Sequence, residues 1–116
     1  MTPYVLAWMS AFVLTQAVEM PIYVLACRQR AWPRRLLVAF ATSALTHPIV
    51  WFVIPDLMAQ TSYEVYFAVA EGFAVLAEAL VLRVGAKVRH ALLWALGANA
   101  ASVVVGELTR ALFGWP

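Results

Sequence analysis

Residues 3–35 read PYVLAWMSAFVLTQAVEMPIYVLACRQRAWPRR: a long apolar run with one formally charged side chain, Glu19, then a segment holding Arg28, Arg30, Arg34 and Arg35. A hydrocarbon core about 30 Å thick needs roughly 20 apolar residues to cross it as a helix, and the run meets that length. No basic segment precedes it and no small-residue cleavage site follows, so it reads as a transmembrane helix and not a removable signal peptide. Outward from this unit the pattern recurs. Further apolar runs cover about 36–54, 63–82 and 91–113, separated by short polar connections. The 116 residues are 65% hydrophobic and 12% charged, against roughly 45–50% and 25% in a soluble domain. That is too little charge to coat a globule, which excludes an ordinary soluble enzyme, a disordered tail and a nucleic-acid-binding module. The expected fold is an all-α integral membrane protein, a single transmembrane domain over 1–116 built as an antiparallel bundle of four helices.

The connections orient the bundle. Of the eight basic residues, all but Arg110 lie in two of them, 27–35 with its four arginines and 83–90 with Arg83, Lys87 and Arg89, whereas 55–62 holds Asp56 and no basic residue. Basic residues in short loops mark the cytoplasmic side, so loops 27–35 and 83–90 are expected in the cytoplasm and both termini outside (N-out, C-out). The loop signals fit a bacterial plasma (inner) membrane. Trp51, Tyr63 and Trp115 near the outer ends, and Trp32 and Trp94 near the inner ones, agree with the preference of amphipathic rings for the headgroup level. The net charge of +2 is therefore topology information, and no nucleic-acid partner is expected. The arginines also suit contact with anionic lipid headgroups. One cysteine, Cys27, permits no intrachain disulfide; beside Arg28 it is either an activated thiol or a small interfacial hydrophobe.

Function is carried by residues that a spanning helix has no structural need for. Gln16, Glu19, Thr46, His47, Glu71, Glu78, Asn99, Ser102 and Glu107 all lie inside the runs. A charge at bilayer depth costs roughly 2.5–3.5 kcal/mol on insertion scales, and such residues face the bundle interior. At about 1.5 Å of rise per residue, Glu78 lies about 6 Å from the inner end, Glu19 about 10 Å, Asn99 about 12 Å, and Gln16, His47 and Glu71 about 15–16 Å. All four helices thus contribute to one layer, and His47 and Glu71 are expected to meet at matched depth. Glu64, Glu71 and Glu78 recur at seven-residue spacing and form one stripe along the third helix. Glu107, nearer the outer face, is placed to pair with Arg110 one turn on.

With no lysine or arginine at this depth, each acid must be protonated, hydrogen-bonded while neutral, or paired with a bound cation. That is the chemistry of a proton relay or cation site, with His47 as a proton exchanger; it also permits a neutral polar core that only fixes helix packing. Pro21 and Pro48 free the carbonyls of Ala17 and Ala44, which could help ligate a cation or merely mark kinks. The mixed nitrogen and oxygen donors suit a divalent transition ion, but no H-x-x-x-H, E-x-x-H or C-x-x-C spacing supports one. The metal question stays open, and no cofactor is expected. Ala98, Ser102 and Gly106 place small residues four apart, a pattern for close helix approach.

In size and layout, with an acid in the first helix, the chain resembles the small multidrug resistance transporters. That resemblance implies for Glu19 the alternating binding of protons and cationic drugs. The strong charge bias and the additional acids depart from it, and no motif of that family aligns. Residues 19–23, Glu-Met-Pro-Ile-Tyr, are similar to the Glu and Pro within one helix of the membrane-bound glutathione-transferase family, but the spacing differs and its arginine–asparagine pattern is absent. Neither family is assigned.

The sequence therefore points to a small polytopic membrane protein that binds or transports protons or a cationic or polar solute, using Glu19, His47, Glu71 and Glu78 with Gln16 and Asn99. The alternative is an accessory or structural subunit of a larger membrane complex. A membrane-embedded enzyme acting on a lipid or quinone, with His47 and a glutamate as base and acid, ranks below both, because no nucleophile–base spacing supports it. Four helices barely enclose one aqueous path, so the expected partners are the lipid bilayer and either further copies of the chain or other membrane subunits.

Overall fold

Three of the long helices begin where the sequence supplies a start signal, a capping hydroxyl or a proline in the first turn. The computed structural model describes residues 1–115 and is all-helical, with no strand among them. α1 covers Pro3–Ala26, α2 Trp32–Phe52, α3 Ile54–Leu57, α4 Tyr63–Ala86 and α5 Ala91–Phe113. Thr2 caps α1 by accepting the Val5 amide at 3.2 Å, with Pro3 in the first turn, and Ser62 caps α4 by accepting the Val65 amide at 3.3 Å. These side chains satisfy amides that have no partner within the helix. α1, α2–α3, α4 and α5 are each long and apolar enough to cross a membrane.

Two spans reach further than apolar runs alone suggest. α2 starts at Trp32 and not near Leu36, because Pro33 in the first turn has its backbone preset for a helix start, which places Arg34 and Arg35 on the helix. Cations are unfavourable at a helix N-terminus. Arg35 instead reaches across to the C-terminal end of α1, where its Nε and Nη2 donate to the Val24 carbonyl at 3.1 and 3.0 Å, while its guanidinium lies 3.8 Å over the Trp32 ring. α4 continues past Leu82 to Ala86, with Arg83 in its last turn, where a cation favours the helix dipole. It stops at Lys87 in the left-handed conformation (φ 51°), with the amides of Lys87 and Val88 closing back on the carbonyls of Arg83 and Leu82 at 3.0 and 3.3 Å.

The second span is broken near its outer end. Pro55 lacks the amide that would bond the Trp51 carbonyl; α2 gives way to the short α3, and the Tyr4 hydroxyl donates to that carbonyl instead.

Sequential long helices pack as neighbours, and α5 closes the ring against α1. The diagonal pairs, α1 with α4 and α2 with α5, make no direct backbone approach among the described residues. The bundle's long axis, 41 Å, matches the roughly 40–45 Å of a bilayer with its headgroups. Leucine, valine and phenylalanine side chains cover the outside, Leu76, Leu80, Val84 and Leu93 being more than 60% exposed; in a soluble protein such a surface would be an aggregation liability. The densest packing lies at the end carrying residues 27–31 and 87–90, where Tyr23, Cys27, Ala39, Leu82, Ala95 and Ala98 are buried together. Small residues allow this approach: a Cβ on Gly85 would stand 3.1 Å from Val38. Of the small-residue stripe, Ala98 is fully buried in this packing, whereas Ser102 and Gly106 above it face the interior space between the helices, where a Cβ on Gly106 would meet nothing within 4 Å.

Candidate functional site

Above this packed end the four helices diverge around a central cavity of about 220 Å³. Its lining runs from exposed residues at one end, Tyr63, Glu107 and Arg110, past His47, Trp51, Tyr66 and Glu71, to buried Glu19, Thr46, Glu78 and Asn99. Fifteen helical residues separate Tyr63 from Glu78, about 22 Å. The cavity is thus a deep cup, open toward the Tyr63–Arg110 end and closed below its floor by Tyr23, Leu82 and Ala98.

Two carboxyls form the floor. Glu19 is 1% exposed and Glu78 is 2% exposed; both line the cavity, and their α5 partners, Ser102 and Asn99, stand three residues apart. Every oxygen of the pair accepts a bond from a different direction. Ser43 on α2 donates to Glu19 Oε1 at 2.8 Å and Ser102 on α5 donates to Glu19 Oε2. Thr46 on α2 donates to Glu78 Oε2 at 2.7 Å, while Tyr23 on α1 and the Asn99 amide on α5 both donate to Glu78 Oε1, the latter at 2.9 Å. The Tyr23 bond bridges the α1–α4 diagonal, which the backbones themselves do not.

Asn99 is oriented by its own helix. Its amide also donates to the Ala95 carbonyl at 2.8 Å and meets the Tyr23 hydroxyl at 3.4 Å. The local sequence explains the cluster: Glu19 and Tyr23 are four residues apart on α1, Ser43 and Thr46 three apart on α2, and Asn99 and Ser102 three apart on α5. Each pair shares one helix face.

No cation balances the two acids. Among the described residues the one salt bridge is Arg110 to Glu107, 2.9 Å apart on α5 at the mouth, with both side chains more than half exposed. That is the pairing one turn apart that the sequence suggests, and its exposure makes it a weak contribution to stability. Two adjacent buried carboxylates repel strongly and lose their hydration. Ionising both at once would need a compensating cation, which no side chain among the described residues supplies.

The remaining polar residues divide. Glu71 stands on the cavity wall, one stripe position above Glu78, with no side-chain hydrogen bond. Glu64 is exposed and outside the cavity lining, so the acidic stripe contributes its two inner members only. His47 lines the same cavity, but no hydrogen bond or ion pair joins it to Glu71. Its ring turns toward α1, packed against Phe12 and Trp51 with centroids 5.5 and 6.0 Å away, and Nε2 pairs with the Thr15 hydroxyl at 3.3 Å. Its Nδ1 is buried without a partner. Gln16 lies outside the cavity, where its amide donates to the Phe40 carbonyl of α2 at 3.2 Å. Ala17 and Ala44, whose carbonyls Pro21 and Pro48 free, do not line the cavity either, so these prolines act on the helix backbone.

No family model matches the chain, and no curated protein or solved structure is significantly similar to it. The functional reading therefore rests on the site's own chemistry. Among the described residues no three His, Cys, Asp or Glu side chains are grouped to hold a metal ion. Nor does any serine or cysteine stand against a histidine as a nucleophile would. What the arrangement can do is hold a proton between two carboxyls, release it, and accept in its place a small cation or polar solute.

Tyr23 and Ser43, which sequence reasoning passed over, complete the floor together with Thr46 and Ser102, which it noted only as polar residues inside the runs. The usable signal is their spacing from the acids and from Asn99.

Proposed function

We propose that this protein binds a proton or a small cationic or polar solute at the Glu19–Glu78 pair and moves it across the membrane by exchange. The observation that carries the reading is the buried pair of carboxyls with no cationic partner at the floor of a cup open at one end. A solute entering past Tyr66 and Trp51 meets aromatic faces, which suit a cation, then Glu71, then the pair. Its positive charge replaces the shared proton, which leaves by the same route; the hydroxyls of Ser43, Ser102, Thr46 and Tyr23 rotate to follow whichever charge is present. The packed end below the floor keeps the opposite side closed in this conformation, and passage requires that seal to open while the mouth closes.

With loops 27–35 and 83–90 in the cytoplasm, as the positive-inside rule directs, the cup faces the outside of a bacterial plasma membrane. The site is enclosed by the helices of one chain, so assembly with further copies serves stability or the conformational change and does not complete the site.

The test is flux in proteoliposomes loaded with a pH-sensitive dye, challenged with a panel of alkali and organic monovalent cations under an imposed pH gradient. Wild type is expected to couple proton movement to at least one cation. Glu78→Gln and Glu71→Gln, inserted and folded as wild type, are expected to lose the coupling. Equal flux in wild type, both variants and protein-free liposomes overturns the proposal.

A further inference from the structure

A second cleft lies at the opposite end of the bundle, between the two basic connections. It has a volume of about 590 Å³ and is lined by Arg28, Arg30, Lys87, Arg89 and His90, with Trp94 on its helical side. None of its lining residues is acidic, so four permanent positive charges face one space with no carboxylate to balance them. Topology alone would require only that these residues lie on the correct side.

The walls are built, not merely charged. Arg30 is fixed by donating its Nε to the Ala86 carbonyl at 2.9 Å, which ties the first connection to the end of α4. Lys87 and His90 are the two non-glycine residues at positive φ among those described, 51° and 56°. Non-glycine side chains are uncommon there, asparagine, aspartate and histidine less so, and a lysine at such an angle persists where the surroundings over-determine it. Glycine would make the same turn without strain, but it would remove two of the groups that line the cleft. His90 also begins α5 without a side-chain cap, leaving the positive end of that helix dipole at the cleft. Half-buried Trp94 belongs to a residue type that prefers the headgroup level.

We infer that this cleft is a binding site for the phosphate-bearing headgroup of an anionic phospholipid, gripped by Arg28, Arg30, Lys87 and Arg89. The lipid is favoured over a free phosphate because the cleft sits where the spanning helices end and exposed apolar side chains such as Leu92 and Leu93 begin. Acyl chains can follow that surface while the headgroup turns inward.

The experiment is native mass spectrometry of the detergent-solubilised protein with added phosphatidylglycerol or phosphatidylcholine. Two variants of equal charge change are compared: Arg28→Gln/Arg89→Gln inside the cleft, and Arg34→Gln/Arg83→Gln on the same end outside it. All four side chains are exposed and none makes a hydrogen bond that folding needs. The expected result is retention of phosphatidylglycerol over phosphatidylcholine by wild type and by the outside variant, with roughly tenfold or greater weakening in the cleft variant. Equal weakening in both variants would reduce the cleft to general surface attraction and overturn the site. Saturable binding of glycerol phosphate that displaces the lipid would assign it to a free phosphate and overturn the lipid.

Discussion

Replacing Glu78 with leucine removes one side chain that receives bonds from three other helices, and the structure lets the loss be apportioned. The Thr46 hydroxyl has fallback acceptors in its own helix, the carbonyls of Thr42 and Ser43 at 3.4 and 3.3 Å, and the Asn99 amide keeps the Ala95 carbonyl at 2.8 Å. These two bonds should each cost near the membrane average of about 0.6 kcal/mol. Tyr23 has no second acceptor: its hydroxyl, in a fully buried residue, is left unsatisfied at about 1–3 kcal/mol. The total is about 2–4 kcal/mol. The reference state acts in the same direction, because separated helices would expose Glu78 to lipid and leucine removes that cost.

Glu78→Gln keeps an acceptor for Tyr23 and Asn99 and places an amide against the Thr46 hydroxyl, which can accept as well as donate. Its expected cost is below about 1 kcal/mol. The assay is reversible unfolding by increasing SDS in mixed micelles, followed by tryptophan fluorescence, with wild type and both variants in parallel. A leucine variant within about 0.5 kcal/mol of wild type would refute the reasoning, since surface substitutions reach that much. So would a glutamine variant as unstable as leucine.

Other outcomes follow from single contacts. Burial pushes the Cys27 thiol up, outweighing the nearby Arg35 and Arg30 that pull it down. At neutral pH it is mostly thiol, and the thiolate is the reactive form, so Cys27 should resist maleimide in the folded protein and react fully once SDS unfolds it; fast labelling of the folded state would contradict this. Arg35→Gln abandons the Val24 carbonyl and should lower stability by about 1 kcal/mol, whereas exposed Arg34→Gln should stay within about 0.5 kcal/mol of wild type, both read by the same SDS titration. Gly106 lines the cavity and a Cβ there meets nothing within 4 Å. Gly106→Leu should therefore preserve stability while filling the cup, and cation-coupled proton movement should fall; unchanged coupling would place the route elsewhere.

The four-helix layout was legible because hydrophobic length and charge placement act over twenty residues at a time. Errors fell at the ends, where that logic weakens. Arg34, Arg35 and Arg83 read as loop by charge, but a long side chain can carry its charge out of the apolar zone while its backbone stays helical. Pro33 and the left-handed stop at Lys87 set the true limits of α2 and α4.

Depth was legible for the polar residues, and facing was not. Rise along a helix is a count of residues, whereas direction turns about 100° with each one and is fixed only by packing. Glu19, Glu78 and Asn99 share both depth and facing, and the structure gathers them. His47 and Glu71 match in depth, yet the histidine ring settles against the aromatic side chains of α1. Gln16 lies at the same level and serves the α2 backbone. The hydroxyls of Tyr23 and Ser43 escaped notice because a single hydroxyl costs a spanning helix little; Thr46 and Ser102 stood out only as polar residues inside the runs, and spacing from the acids and Asn99 is what assigns all four to the floor.

Proton release on cation binding tests the central claim most directly. Purified protein in weakly buffered detergent solution, with a pH indicator dye, is titrated with the cation panel near neutral pH. The account predicts saturable release of a proton for each cation bound, suppressed when the solution is made acidic enough to compete, and absent in Glu19→Gln/Glu78→Gln. No release with any cation, or release undiminished in that double variant, would contradict a proton-exchanging carboxyl pair at the floor of the cup.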